Sequence, residues 1–209
     1  MFELLANFAT LSYLVPIIAF STVTSREIKD LSYFILIISL FGFFSNVMAY
    51  FFQEITSNCN PIYHYYTILD TSVLCWLYAR NFANKRARII IGMLWFCFLV
   101  LSIYQLKTDY WGENTLAWIV SKVLLIGLSL IGLINPIVQF VNDVTLDIDF
   151  KRMNSAVLIF NACTLFVALF EPILREKDGF LLEVGWSVNL LLILIYNSLL
   201  TITLWKMKR

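Results

Sequence analysis

Residues 31–52 read LSYFILIISLFGFFSNVMAYFF and include no charged side chain. The apolar residues form a continuous run, and its length matches the roughly 20 residues that a helix needs to cross about 30 Å of hydrocarbon. A β-strand is not expected here, because an open sheet edge cannot satisfy its backbone hydrogen bonds in lipid. The segment therefore predicts a transmembrane helix.

Similar apolar runs lie on both sides of this segment and are separated by short polar breaks. Hydrophobic residues make up 60% of the chain and charged residues 14%, whereas a soluble domain carries roughly 25% charged residues. We therefore predict an all-α, polytopic integral membrane protein, a bundle of seven transmembrane helices in a single domain over residues 1–209. The predicted helices lie at about residues 4–23, 31–52, 61–82, 89–106, 115–138, 154–174 and 181–205.

Lysine and arginine residues predict the orientation, because cytoplasmic loops of membrane proteins are enriched in them. If the N-terminus lies outside, the outer loops hold only Lys107, Arg175 and Lys177, and Lys122 lies within a span. We therefore predict an outer N-terminus and a cytoplasmic C-terminus in a multi-pass membrane protein; the expected location, the bacterial cytoplasmic (inner) membrane, is implied by the resemblance given below. The remaining eleven of the 15 basic residues fall in inner segments: Arg26, Lys29, Arg80, Lys85, Arg86, Arg88, Lys151, Arg152, Lys206, Lys208 and Arg209.

Three ionisable residues stand out inside predicted spans, where a charged side chain is costly and therefore indicates a functional site. They are Asp70, Lys122 and Glu171. At 1.5 Å per residue, Asp70 lies about 13 Å from Pro61, and Lys122 lies about 10 Å from Thr115. These similar depths predict an ion pair between Asp70 and Lys122. The pair either fixes the register of two helices or belongs to a ligand or proton site.

Amide side chains add to the polar groups in the predicted spans. Asn46 and Asn189 both fall in the outer half under the predicted topology. The simpler interpretation is that they join helices by hydrogen bonds. The alternative is a pocket with a few convergent polar groups, which we predict to open toward the outer half of the membrane. The predicted ligand or ion-pair cluster comprises Asp70, Lys122, Glu171, Asn46, His64, Trp118 and Asn189.

His64 and Trp118 complete this predicted cluster. His64 is the only histidine, and it lies six residues before Asp70, so the two side chains are about 120° apart on a helix. A single histidine falls short of the three or four ligands that zinc needs, so we expect no metal and no other cofactor, and His64 is predicted to form hydrogen bonds at the outer interface. Trp118 lies one turn before Lys122 and is predicted to stack against its ammonium group.

The segment Asn60–Asp70 reads NPIYHYYTILD, and a basic loop, NKRAR, follows at residues 84–88. This combination of segment and loop resembles a widespread group of small uncharacterised membrane proteins from Bacteroidota. In that group, a similar stretch with Ile-Tyr, Tyr-Thr and an acidic residue opens a middle helix before a basic loop. The similarity covers mainly the second to fourth predicted helices, and this chain has Asp70 where the group has Glu. The resemblance implies a seven-helix membrane fold and brings no assigned activity.

Three functions fit the sequence. We expect a membrane-embedded sensor or regulatory accessory protein without its own soluble effector domain, whose polar outer-half site takes a small molecule, a lipid or a partner. One alternative is a pore-forming or transport-type protein, such as an anti-phage or CRISPR-associated accessory. The other is an intramembrane lipid-modifying enzyme in which Asp70 acts as acid or base. An enzymatic activity is not favoured.

The expected partners follow from the lack of a soluble effector domain in the predicted fold. A sensor of this kind signals through another molecule, so we expect membrane lipids and a protein partner or further copies of the chain. The net charge of +1 does not indicate direct nucleic-acid binding. The predicted helices also lack the paired Gly/Pro-broken midplane segments of many secondary transporters, which weakens transport by alternating access.

Overall fold

The computed structural model describes residues 2–22, 30–82, 84–140, 148–177 and 179–207, with side chains in these ranges except at 135–140, 172 and 175–177. Every helix or strand in this part of the chain is an α-helix, which confirms the all-α prediction. The basic residues Arg26, Lys29, Lys208 and Arg209 of the topology prediction lie outside it. The helices are α1 (Phe2–Ser12), α2 (Leu14–Ser21), α3 (Asp30–Thr56), α4 (Asn60–Asn81), α5 (Lys85–Thr108), α6 (Thr115–Phe140), α7 (Ile148–Lys177) and α8 (Gly179–Met207).

Several helix ends follow local sequence signals. Pro61 lies in the first turn of α4, where the missing N–H has no helical partner in any case. Asn84 caps α5, because its side-chain oxygen accepts a hydrogen bond from the Arg86 backbone N–H at 2.9 Å. Ser57 has a φ of 59° directly after α3, a left-handed conformation that commonly ends a helix.

Helices α1 and α2 form one span, Phe2–Ser21, that is interrupted at Tyr13. The interruption follows from Pro16, which cannot donate a hydrogen bond to the carbonyl four residues earlier, that of Ser12. The Asn197 amide donates a hydrogen bond to the Ser12 hydroxyl at 2.8 Å and joins the interruption to α8. Tyr13 is 2% exposed and lies inside the bundle.

Six spans in the described residues are long and apolar enough to cross a membrane: α1 with α2, and α3, α5, α6, α7 and α8. Helix α4 has a comparable length, 22 residues, but is less apolar. Its polar residues are buried against other helices, since α4 packs on α3, α5 and α6. His64, Thr67, Asp70 and Thr71 are all buried. Composition alone therefore does not mark α4 as a span.

The helices form a ring. The α1–α2 span packs against both α3 and α8, and the circuit continues through the contacts α3–α4, α4–α6, α6–α7 and α7–α8. We call these elements the helix ring. Helix α5 packs mainly on α4 and α6 from outside the ring, and its other faces carry exposed apolar side chains such as Met93 and Phe96.

A tightly packed apolar core fills the end of the ring where α3 begins and α8 ends. Its side chains come from five ring helices, and interdigitation holds them together, because lipid offers them an equally apolar surrounding. The polar side chains described below lie between this core and the opposite end, except for Tyr78 and Tyr196, which belong to the core. Representative core residues, each at most 2% exposed, are Ile35, Leu77, Leu125, Val157 and Leu200.

Candidate functional site

The loop between α5 and α6 fixes the start of α6 against the start of α4. The Asn114 amide donates hydrogen bonds to the Tyr63 carbonyl at 3.1 Å and to the Thr67 hydroxyl at 2.7 Å. The His64 Nε2 lies 3.2 Å from the Gly112 carbonyl and acts as the donor, because a carbonyl oxygen only accepts. These bonds hold the two helices in register.

Helices α4 and α6 also run in the same direction. Farther along both helices, the hydroxyls of Thr71 and Ser121 lie 2.7 Å apart in the interior. Asp70 and Lys122 are the sequence neighbours of these two residues, so the contact brings them to one depth in the ring. Asp70 is 7% exposed and Lys122 is 4% exposed.

The two charged side chains do not form the predicted direct ion pair. Each charge acts on the other, but within the described part of the chain no nitrogen–oxygen contact of 4.0 Å or less joins them. The Lys122 Nζ instead lies over the Phe160 ring, 5.1 Å from its centroid. Phe160 in turn stacks on Tyr196, with ring centroids 4.5 Å apart. The ammonium is thus held by an aromatic pair between α7 and α8.

Trp118 has a different partner from the predicted one. Its ring stacks on Trp186 of α8, with centroids 6.0 Å apart and planes 3° from parallel. The prediction that Trp118 stacks against Lys122 is therefore not met, and Phe160 takes that place. One-turn spacing on α6 suggested the contact, but the approach of α7 determines which ring faces the ammonium.

Three tyrosine side chains lie in the neighbourhood of Asp70. Tyr13, Tyr66 and Tyr196 are all close enough for the Asp70 charge to act on them. Tyr66 and Asn46 lie near the Tyr13 hydroxyl. The Asn46 amide also donates a hydrogen bond to the carbonyl one turn earlier on α3, at 2.8 Å.

Each member of the helix ring therefore contributes a polar or aromatic side chain to one connected cluster. Sequence reasoning identified the charged and amide members but missed the three aromatic ones. Aromatic residues make up 16% of the chain, so only tertiary contacts single them out, although Pro16 marks the interruption that turns Tyr13 inward. We call this cluster the interior site: Tyr13, Asn46, Asp70, Lys122, Phe160 and Tyr196.

The other residues of the predicted cluster lie closer to the opposite end of the ring from the apolar core. Glu171 is 11 residues beyond Phe160, roughly 16 Å along α7, and Asn189 is seven residues before Tyr196, roughly 10 Å along α8. His64 is roughly 9 Å before Asp70 along α4. All three are buried, at 5%, 8% and 1% exposure. The structure separates them by depth from the interior site.

Among the described residues, four buried amide oxygens have no hydrogen-bond partner, one in the α5–α6 loop at Asn114 and three on α7 and α8. The three on α7 and α8 belong to Asn161, next to Phe160 in sequence, to Asn197, next to Tyr196, and to Asn189. An unsatisfied buried acceptor costs about 1–3 kcal/mol. Buried acceptors in native proteins normally have a hydrogen-bond donor, such as water or a ligand N–H.

A second polar cluster, nearer the apolar core, is fully bonded. The Tyr78 hydroxyl interacts with the Ser129 hydroxyl at 2.7 Å and donates a hydrogen bond to the Asn154 side-chain oxygen. The Asn154 amide donates to the Ser129 carbonyl at 2.9 Å. All three residues are at most 1% exposed. This closed network joins α4, α6 and α7 and leaves no group free for a ligand.

The described residues give little indication of a metal site or of a reactive thiol. No group of three or more His, Cys, Asp or Glu side chains lies together there in a way that could hold a metal ion. Cys59 lies between α3 and α4, and burial raises the pKa of its thiol. A raised pKa disfavours the thiolate, which is the nucleophilic form.

The position of Tyr13 leads to a packing prediction. A Cβ at position 42 would overlap the Tyr13 ring, so Gly42→Ala should lower the free energy of unfolding by about 1–3 kcal/mol. Gly92→Ala is the matched control, because nothing lies within 4 Å of a Cβ at that position. Thermal unfolding of both variants in detergent measures the difference. Equal midpoints would contradict the packing of Tyr13 against α3.

The six apolar spans and the polar interior define a multi-pass helical membrane protein. No protein-family model, curated protein or solved structure matches this chain.

Proposed function

We propose that this chain is a membrane-embedded sensor or regulatory subunit that binds a small ligand at the interior site and transmits its occupancy to a partner through the helix ring. The observation that carries this proposal is the cluster of side chains, one from each ring member, that includes the buried Asp70 and Lys122. Two buried, oppositely charged groups without a direct contact are costly in a membrane interior. A ligand that contacts them offsets that cost.

The ring geometry suits signalling. A ligand shifts a conformational equilibrium only through contacts that differ between two states. A ligand at the interior site touches side chains from all ring members, so a small change in its contacts alters the packing of the whole ring. Lys122 and Tyr196 also lie on α6 and α8, the two helices that the Trp118–Trp186 stack joins.

The two alternative functions receive less support from the described residues. A lipid-modifying enzyme needs its acid or base near the headgroups, whereas Asp70 lies ten residues, roughly 15 Å, from the start of α4. A pore needs an open path, whereas packed side chains of the apolar core, such as Ile35 and Leu200, fill one end of the ring.

We further propose seven spans, including α4, with the N-terminus outside the bacterial cytoplasmic membrane and the C-terminus inside. Two contacts support the inclusion of α4. Arg80, near its end, pairs with Asp30 at the start of α3. At its other end, Asn60 donates a hydrogen bond to the Trp111 carbonyl at 3.2 Å. Helix α4 thus reaches both ends of its neighbours.

Cysteine accessibility tests this topology. In a chain without its four native cysteines, we expect Lys107→Cys to react with an impermeant maleimide on intact cells. Lys85→Cys should react only after permeabilisation, because the basic segment before α5 faces the cytoplasm. Both native side chains are exposed. External labelling at position 85 would overturn the orientation.

The sensor proposal is tested with the protein in lipid nanodiscs and with polar and lipid extracts of bacterial cells. We expect one extract to raise the unfolding temperature and to change the fluorescence of the Trp118–Trp186 pair. The doubly substituted Asp70→Asn/Lys122→Met protein should show neither response. Lys107→Met is the matched control, because it removes an exposed lysine and should respond like the parent protein. If no extract changes either signal, the proposal fails.

A further inference from the structure

The two charges of the interior site have unused hydrogen-bonding capacity. In the described part of the chain, Asp70 accepts no hydrogen bond and Lys122 donates none, and each is more than nine-tenths buried. A carboxylate offers about four acceptor positions and an ammonium offers three donors. A bound ligand would supply the missing donors to Asp70 and the missing acceptors to Lys122.

Aromatic packing explains why the two groups do not meet each other. Phe160, backed by Tyr196, attracts the ammonium to the side of α7 and α8. A cation over an aromatic face is stabilised by about 2 kcal/mol when desolvated, but its N–H donors still lack oxygen acceptors. The carboxylate remains on α4 among tyrosine side chains. Two opposite charges that do not contact each other suit a ligand that carries both.

We propose that the ligand is a small free zwitterion of the amino-acid class, whose ammonium group binds Asp70 and whose carboxylate binds Lys122. This inference rests on the proposed ligand-sensing function. The tyrosine hydroxyls around Asp70 add acceptors for the ligand ammonium. The unpartnered oxygens of Asn161 and Asn197 neighbour the aromatic pair in sequence and offer further acceptors. Phe160 and Tyr196 supply an apolar wall for the carbon skeleton.

A zwitterionic lipid headgroup such as phosphatidylethanolamine shares this chemistry. Headgroups stay at the interface, however, whereas Asp70 lies roughly 15 Å along α4 from its start. The loop bonded to the start of α4 also covers that end, since Gly112 and Asn114 contact His64 and Thr67. A free molecule fits this depth better than a headgroup.

Binding is measured in nanodiscs of phosphatidylglycerol alone, by unfolding temperature and by tryptophan fluorescence. The probes are glycine, L-leucine, L-phenylalanine and 5-aminopentanoate. Phenylalaninamide and N-acetylphenylalanine serve as analogues that keep only the ammonium or only the carboxylate. We expect at least one zwitterion to raise the unfolding temperature, and its one-charge analogues to bind at least about tenfold more weakly.

Variants locate the contacts. Asp70→Asn and Lys122→Met should each weaken binding of the zwitterion at least about tenfold, which is the loss of one charged contact. The double variant lacks both buried charges, so it should fold even if a single variant does not. Its binding then tests the inference. Ser129→Ala is the matched control, because it lies two turns beyond Lys122 on α6 in the closed network, and it should bind normally.

Each other outcome overturns the inference in a distinguishable way. If cell extract acts but no zwitterion does, the ligand class is wrong and the sensor proposal stands. If only nanodiscs with added phosphatidylethanolamine show the shift, the ligand is a headgroup. If the double variant binds as tightly as the parent protein, the site lies elsewhere. If neither extract nor probe acts, both proposals fail.

Discussion

Lys122→Met should lower the free energy of unfolding by about 3 kcal/mol. The substitution leaves the Asp70 carboxylate buried without the cation that now acts on it, and an uncompensated charge is expensive in a membrane interior. Broken buried ion pairs cost about 3–5 kcal/mol, and we expect the lower end because the two groups are not in direct contact. Asp70→Asn should cost a similar amount, since it leaves the Lys122 ammonium alone.

The double variant Asp70→Asn/Lys122→Met should recover most of this loss, because no buried charge remains. Unfolding of the purified proteins in sodium dodecyl sulfate measures all three variants. Lys107→Met removes an exposed lysine and should leave the unfolding free energy within about 0.5 kcal/mol of the parent value. If the double variant were as unstable as the sum of the single ones, the two charges would not be coupled.

Tyr78→Phe should destabilise the protein by about 2 kcal/mol, because it deletes one oxygen from a closed network without changing the packing. The buried Asn154 oxygen and the Ser129 hydroxyl both lose their partner in the tyrosine hydroxyl. A buried polar group left unsatisfied costs about 1–3 kcal/mol. The same detergent titration measures the effect.

Removal of both partners should cost less than removal of one. In Tyr78→Phe/Asn154→Leu, the apolar replacement takes the place of the stranded amide, so part of the loss should return. Tyr50→Phe is the matched control, because Tyr50 is 64% exposed and should tolerate the change. An equal effect of Tyr50→Phe and Tyr78→Phe would mean that the network does not contribute to stability.

The sequence predicted the helical segments well, and the differences lie at their ends, apart from the interruption at Tyr13 inside the first predicted helix. Helix α7 begins at Ile148, against a predicted start at about residue 154, and α5 begins at Lys85, against about 89. Hydropathy detects the part of a helix that contacts hydrocarbon. The backbone hydrogen bonds of the helix continue past it through charged residues such as Lys151 and Arg86.

The candidate site was predicted only in part. The free-energy cost of burying a charged side chain in lipid identifies Asp70 and Lys122 from the sequence. The rise of 1.5 Å per residue along each helix gives their depth. Neither quantity says which face of α7 or α8 approaches them, so Phe160 and Tyr196 could not be chosen among many aromatic residues. The separation of Glu171 from the pair could have been inferred, since it follows from helical rise along α7.

The ring has a consequence for biosynthesis. It closes where the first span meets the last helix, through contacts such as the Asn197–Ser12 hydrogen bond, whose residues are 185 positions apart. Contacts this distant in sequence form late, so the N-terminal span remains in the membrane without them until α8 is inserted. Until α8 arrives, Tyr13 and Ser12 are open to lipid or to a membrane chaperone. A chain interrupted before α8 therefore exposes polar groups that a quality-control protease can recognise.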